Sequence, residues 1–270
     1  MPKLSHLLLG LVSIYKAIPI FWKYRLYTFA IIPGMLGIVI HTGNGLILSQ
    51  DVQAEELNTL HSIWQWLTNA FQVMAGIFLY TFGNFLAVIL LAPLFTWFSE
   101  RCGKILTGKD YPFEALQFAK DIVRAIRLVL RNIFVQSVWI IALYLVIHVI
   151  LKVESRLLFE LGTFLIYAYY YGFGFLDYTL EQEKLTFKES ITFIRKHRGL
   201  ALSIGAFYGV TIKLSENLKY VNYNWLNGFL EILIWLSYAV VPLIAILAGS
   251  LSVQELEKQR MKFSTDSDKK

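Results

Sequence analysis

Residues 132–151 read NIFVQSVWIIALYLVIHVIL and contain no Asp, Glu, Lys or Arg. An α-helix rises about 1.5 Å per residue, so about 20 apolar residues cross the roughly 30 Å hydrocarbon core of a bilayer. A second uncharged stretch of this length runs from Ile232 to Gln254. Both stretches predict helices that span a membrane. The chain is therefore expected to fold in a lipid bilayer.

The composition of the whole chain agrees with a membrane environment. Hydrophobic residues make up 56% of the 270 residues and charged residues only 16%, whereas an ordinary soluble domain has about 25% charged residues. The net charge of +6 would suit a nucleic-acid binder. However, the basic residues are spread between apolar segments and form no recognisable DNA- or RNA-binding motif. We therefore expect a membrane protein with no nucleic-acid partner.

Four further uncharged stretches predict additional helical segments. Two are long enough to span, namely Leu26–Gln50 and the part of Leu57–Ser99 from residue 71 to residue 98. Leu161–Leu176 and Gly199–Ile212 are shorter, and they fit either thin spans or paired helices that enter the bilayer and turn back. The predicted fold class is an all-α polytopic integral membrane protein with about six hydrophobic helical segments, some of them candidates for partly inserted re-entrant hairpins.

Two segments are predicted to lie along the membrane surface as amphipathic helices. Residues 1–25 contain an apolar run broken by Lys16 and Pro19, which favours an interfacial N-terminal helix. Residues 100–131 form a predicted cytoplasmic segment whose basic side chains follow the spacing i, i+4, i+7 and i+11 of one helical face. This basic stripe consists of Lys120, Arg124, Arg127 and Arg131. We expect it to face the lipid and contact anionic headgroups.

The distribution of Lys and Arg predicts the orientation of the chain. If the six segments alternate, one side receives 4 of these residues before the first span, 7 in Arg101–Arg131, 5 in Lys184–Arg198 and 5 in residues 255–270. The other side receives only 4. Because cytoplasmic connections are enriched in Lys and Arg, we predict a single membrane domain over residues 1–254 in the cell inner membrane. Residues 255–270 form a cytoplasmic tail, and both termini are cytoplasmic.

Small residues recur four positions apart in the later segments, a spacing that lets helix backbones approach closely. They are Ala168 and Gly172, then Ala201, Gly205 and Gly209, then Ala245 and Gly249. We expect tight helix packing at these positions, either within one chain or between copies of it.

The sequence gives no sign of an enzyme, a metal site or a cofactor site. The five histidines are scattered, and none lies four residues from another, so metal ligation has little support. No nucleophile elbow, P-loop or dinucleotide-binding fingerprint is present. The predicted spans also lack charged residues, which argues against a proton-driven carrier. The protein is then expected either to provide a passive path for a solute or to provide no path at all.

Lys23 and Arg25, directly before the first predicted span, are the candidate binding residues for a small anion. The N-terminus of a helix attracts phosphate or sulfate through its free N–H groups and its dipole, and neighbouring cations add to that attraction. The other interpretation is that both residues anchor the span on its cytoplasmic side. On the residues alone, the second interpretation, in which Lys23 and Arg25 anchor the span, is favoured.

Motifs near the ends of the predicted helices occur in an order that resembles one family of membrane proteins. In chain order they are Ala92, Pro93, Glu100, Thr107, Gly108, Asp177, Tyr178, Phe187, the basic group Arg195, Lys196, His197 and Arg198, then Gly205 and Pro242. In the order and spacing of these motifs, and in hydropathy, the chain resembles the CysZ/etoposide-induced protein 2.4 family over nearly its full length.

This resemblance implies a sulfate permease. Bacterial CysZ proteins take up sulfate for cysteine synthesis, and they combine long spanning helices, partly inserted helical hairpins and oligomeric assembly. By this resemblance, Leu161–Leu176 and Gly199–Ile212 would form a hairpin arm. The expected partners are then sulfate or a similar small anion, anionic lipids and further copies of the chain.

One departure from the family concerns the predicted anion site. CysZ proteins carry two adjacent arginines, implicated in anion binding, shortly before the proline of the first span. Here Tyr27 and Thr28 are nearest to those positions, and Lys23 and Arg25 lie farther from Pro33. The leading hypothesis is an oxyanion permease in which Lys23 and Arg25 substitute for that pair. The alternative is a membrane scaffold that organises lipids or partner proteins without transport.

Overall fold

The computed structural model describes residues 4–36, 64, 90–108, 115–152, 155–218 and 227–267, which form helices and short connections without any strand. In chain order the helices are α1 (Leu4–Lys23), α2 (Leu26–Leu36, which begins with a 3₁₀ turn), α3 (90–107), α4 (Ala115–Tyr144, continued by the π-helical Leu145–Ile150), α5 (Arg156–Gln182), α6 (Phe187–Lys196), α7 (Arg198–Leu218) and α8 (Asn227–Ser267). The predicted all-α fold class is thereby confirmed.

Three of the described helices are long and apolar enough to cross a membrane, and they cover Leu4–Lys23, Val123–Ile150 and Ser237–Lys258. The second and third overlap the two uncharged stretches that predicted spanning helices. The first is the helix that we expect to lie at the interface, and its position in a bilayer stays a prediction. Most of the predicted spans Leu26–Gln50 and 71–98 lies outside the described residues, so the count of six segments stays a prediction as well.

Helix α8 forms the buried centre of the described bundle. Every residue from Val241 to Ser250 is buried, because α1, α2, α5 and α7 pack around this helix. A helix that is apolar on all sides is stable where protein or lipid surrounds it. A hydrogen bond of 2.9 Å between the hydroxyls of Thr179 in α5 and Ser250 in α8 crosses this packing.

Helices α5 and α7 form an antiparallel pair in which the backbones nearly touch. A Cβ atom at Gly172 would overlap the carbonyl of Ala201, and one at Gly205 would overlap the carbonyl oxygen of Ala168 and the backbone nitrogen of Gly172. The close approach that the small-residue spacing predicts is therefore present between these two helices. Helix α8 contacts α5 at ordinary van der Waals distance, 3.5 Å from the Cβ position of Gly249 to the Phe175 carbonyl oxygen.

The membrane half of α4 stands at the outside of the bundle. It packs mainly on α5, and its other face exposes large apolar side chains such as Phe134, Trp139 and Ile141. An apolar face of this extent would be costly in water. In a membrane protein it contacts lipid or another protein chain.

Capping residues determine where α3 ends and where α6 begins. Gly108 adopts φ +73° and its N–H donates to the Lys104 carbonyl at 2.9 Å, which ends α3. Thr186 and Glu189 form a capping box at the start of α6. The hydrogen bonds from the Thr186 backbone and hydroxyl hold the pKa of the Glu189 carboxyl below its ordinary value. The stability contributed by this contact is therefore present near neutral pH and is lost as the pH falls through that lowered pKa.

Candidate functional site

Lys23 is the last residue of α1, and Arg25 lies in the short connection to α2, where both side chains are exposed. Arg25 adopts the left-handed backbone conformation, with φ +54°. Its carbonyl accepts hydrogen bonds from the backbone N–H of Thr28 at 3.3 Å and from the Thr28 hydroxyl at 3.1 Å. Lys23 Nζ lies 5.5 Å from the centre of the Tyr24 ring. In the part of the chain that the structure describes, no carboxylate pairs with either cation.

Aromatic contacts fix this connection in place. The Tyr27 ring packs on Trp22 with 5.5 Å between centroids. One turn into α2, Phe29 contacts Trp97 and Phe98 of α3 at 4.8 and 5.3 Å. The positions nearest to the family's arginines, Tyr27 and Thr28, thus stabilise the turn. The two cations lie directly ahead of the N-terminus of α2, where the helix dipole adds attraction for an anion.

The basic stripe of α4 does not present one uniform face. Lys120 and Arg127 are exposed, whereas Arg124 and Arg131 are partly buried and turn toward α5. The division arises because Arg124 and Arg131 lie on the side of the stripe that faces α5, whereas Lys120 and Arg127 lie on its other side. Contact of this stripe with anionic lipid stays a prediction.

Arg124 forms the centre of a polar network that the sequence did not reveal. It donates from Nη2 to Asp177 Oδ1 at 2.9 Å and from Nε to Asp177 Oδ2 at 3.3 Å. It also donates to Ser190 Oγ at 2.7 Å and to the carbonyl of Leu185, and Glu181 lies 3.9 Å away. The side chains of Arg124 and Asp177 are only 16% and 5% exposed. This network joins α4, α5 and the start of α6.

The other residues of the family pattern are placed by the helices that carry them. Pro93 and Glu100 belong to α3, and the structure leaves both partly exposed. Gly205 lies in the contact between α5 and α7. Pro242 is buried inside α8, and Asp177 belongs to the network around Arg124. The structure does not bring any of these residues to the exposed connection that holds Lys23 and Arg25.

A cavity of about 430 Å³ lies among α5, α6 and α8. Its ionisable lining residues are Glu183, Glu257, Lys196 and His197, beside several apolar side chains. The two carboxylates offset the positive charge of the basic residues. This cavity therefore offers a sulfate-like anion no net electrostatic attraction.

A comparison with models of known families identifies the family of this chain. Residues 13–249 match the family described as "Sulfate transporter CysZ/Etoposide-induced protein 2.4". The match confirms the resemblance drawn from the sequence motifs, and it covers every helix discussed above except the ends of α1 and α8. A search of curated proteins finds no match.

Proposed function

Because this chain belongs to the sulfate transporter CysZ/etoposide-induced protein 2.4 family, we propose that it is a membrane permease or channel-like transporter for sulfate or a related oxyanion. The family match over residues 13–249 is the observation that carries this proposal. The family is a transporter-type family and not an enzyme family. The apolar helices of spanning length agree with its description.

In this proposal Lys23 and Arg25 hold the anion where it enters from the cytoplasmic side. Both cations are exposed and lie ahead of the N-terminus of α2. A sulfate ion carries two negative charges and four acceptor oxygens, so it can bond to both side chains and to free backbone N–H groups of the helix. Sulfate binding then needs no cofactor, metal or covalent intermediate.

The double variant Lys23→Ala/Arg25→Ala tests this assignment. Hydrogen bonds to charged groups contribute about 1.5–3 kcal/mol each, and 1.4 kcal/mol corresponds to about tenfold in affinity. We expect the KM for sulfate uptake into proteoliposomes to rise at least about tenfold. Lys16→Ala/Lys188→Ala is the matched control, because both lysines are exposed and belong to the predicted cytoplasmic side. Equal uptake by the double variant and the control would show that the anion is held elsewhere.

We propose that the chain forms homo-oligomers in the inner membrane, with both termini in the cytoplasm. The exposed apolar face of α4 (Phe134, Trp139 and Ile141) supports the formation of oligomers, since it is available to another copy as well as to lipid.

Cysteine variants at positions 157 and 214, treated with an impermeant thiol reagent in intact cells, test the topology. Reaction at either position from outside would establish a full span by the neighbouring short segment. Reaction only from the cytoplasm would establish re-entrant hairpins.

A membrane scaffold is the second candidate function. The exposed cations Lys120 and Arg127 of the basic stripe favour it, because such side chains bind anionic headgroups without any path through the bilayer. The scaffold predicts binding to liposomes that contain anionic lipid and no flux of sulfate. The permease predicts flux, so the same proteoliposome preparation distinguishes the two.

A further inference from the structure

Three arginines from three different helices converge beside α5. They are Arg131 of α4, Arg195 of α6 and Arg198, the first residue of α7. The phenol of Tyr169 lies within electrostatic range of all three arginines, and the phenol of Tyr170 lies within range of Arg131 and Arg195. Arg131 and Arg195 repel each other. A concentrated positive charge therefore meets two phenol groups on one side of the bundle.

Ring contacts hold Arg131 in this position. Its guanidinium carbon lies 5.2 Å from the centre of the Phe173 ring, and one of its nitrogens donates to Asn132 Oδ1 at 2.8 Å. Phe173 in turn meets the Tyr169 ring edge to face at 6.2 Å, and Tyr169 meets Tyr170 at 5.1 Å. The guanidinium and the two phenols thus belong to one packed group.

Arg195 and Arg198 are held together by the turn between α6 and α7. The Nε–H group of Arg198 donates to the Arg195 carbonyl oxygen at 3.1 Å. Helix α7 begins at Arg198, and its first hydrogen bond to the turn runs from the Leu200 N–H to the His197 carbonyl at 2.9 Å. The helix N-terminus adds partial positive charge to that of the two side chains.

No carboxylate balances this charge within the described ranges. The arginine ion pairs found there join Arg124 to Asp177 and Glu181, and Arg156 to Glu160. The like charges of Arg131 and Arg195 repel each other, and an anion that binds between the arginines removes this repulsion. The cluster therefore has the electrostatics of a site whose ligand carries the counter-charge.

We propose that Arg131, Arg195 and Arg198, together with Tyr169, form a second binding site for a tetrahedral oxyanion. The ligand is either free sulfate or phosphate, or the phosphate group of an anionic lipid. A guanidinium offers a planar pair of N–H donors that matches two oxygens of such an anion, and the phenol O–H supplies another donor. The site shares no residue with Lys23 and Arg25, so it stands whether or not that pair holds sulfate.

The position of the arginine cluster is accessible both to the phosphate group of an anionic lipid and to a free ion from solution. Arg131 is the last charged residue before the uncharged stretch 132–151. The site therefore lies where the polar half of α4 gives way to its membrane half, which is the level of lipid headgroups. Arg195 and Arg198 are exposed, so an ion from solution also reaches it.

Binding measurements on the detergent-purified full chain test the site with two probes. The first is radiolabelled sulfate in equilibrium dialysis, and the second is phosphatidic acid detected by native mass spectrometry. All proteins carry Lys23→Ala/Arg25→Ala, so that the first candidate site does not contribute. The test variant adds Arg131→Gln/Arg195→Gln/Arg198→Gln, and the charge-matched control adds Lys16→Gln/Lys188→Gln/Lys258→Gln at exposed lysines.

We expect the test variant to lose at least tenfold in affinity for one of the two probes while the control stays within about twofold. A loss for sulfate alone identifies a site for free anions, and a loss for phosphatidic acid alone identifies a headgroup site. Because the loss of the Arg131 contact with Phe173 can affect folding, Arg195→Gln/Arg198→Gln provides a second variant that keeps this contact. Test variants that bind both probes as tightly as the control would overturn the proposal, and so would a parent protein that binds neither probe.

Discussion

Replacing Gly205 by alanine is expected to lower the melting temperature of the detergent-solubilised protein by many degrees. The added Cβ atom would overlap the Ala168 carbonyl oxygen and the Gly172 backbone nitrogen. Backbone atoms of two packed helices cannot turn away as a flexible side chain does, so α5 and α7 must separate. Overpacking of this kind costs typically about 1–3 kcal/mol, and separation also breaks the other close contacts along the pair.

Gly174→Ala is the matched control for that experiment. Gly174 lies in α5, the partner helix of Gly205, two residues beyond Gly172 in the sequence, and no atom outside the backbone of its own helix lies within 4 Å of its Cβ position. Alanine also has a higher helix propensity than glycine, by about 1 kcal/mol. We therefore expect the melting temperature of the control to stay the same or rise. Equal melting temperatures for the two variants would show that α5 and α7 do not pack as described.

Asp177→Ala is expected to be the most destabilising single change in the polar network. It leaves the guanidinium of Arg124, whose side chain is 16% exposed, without its bidentate partner. Removing one partner of a buried ion pair costs about 3–5 kcal/mol. The result should lie toward the lower end, because Glu181 stays 3.9 Å from Arg124. Unfolding by denaturant in mixed micelles measures the change.

Replacing both Arg124 and Asp177 separates the free-energy cost of an unpaired buried charge from the contribution of the ion pair itself to stability. Arg124→Met/Asp177→Leu should recover most of the stability that Asp177→Ala loses, because apolar residues of similar size replace buried ion pairs well. Glu160→Ala breaks the exposed pair between Arg156 and Glu160 on the same helix, and it should change nothing measurable. If the double variant is as unstable as Asp177→Ala, the unpaired charge of Arg124 is not the cause of the lost stability.

The sequence predicted the helical elements well where a local pattern determines them. Uncharged stretches located α4 and α8 because the length of a spanning helix depends only on the thickness of the bilayer. The four-residue spacing of small residues indicated close packing at Ala168, Gly172 and Gly205, which allow an approach that larger side chains prevent, but it did not identify α5 and α7 as the two partners.

Contacts between distant positions were not predicted. Helical periodicity placed Arg124 with three other basic residues on one face, but it contains no information about which neighbouring helix covers the edge of that face. The partner Asp177 is 53 positions away. The position of Asp177 at the end of an aromatic run in α5 could have served as a signal, because a carboxylate in such surroundings needs a cation. Even so, this signal would not have identified Arg124 as the partner.

The candidate anion site was located from local sequence alone. The structure adds that Lys23 and Arg25 are exposed and that aromatic packing around Tyr27 fixes the turn between them and α2. The convergence of Arg131, Arg195 and Arg198 needed the fold, because three separate helices supply these residues. The sequence singled out Arg195 and Arg198 only as part of a basic group.

Uptake of radiolabelled sulfate into proteoliposomes tests the central proposal most directly. The purified full chain is reconstituted, its folding and orientation are verified, and uptake is compared with empty liposomes over a range of sulfate concentrations. The permease predicts saturable uptake above the empty liposomes without an imposed pH gradient, because the predicted spans carry no charged residues for proton relay. Uptake no greater than that of empty liposomes, by protein that is folded and inserted, would contradict a sulfate permease and favour the scaffold.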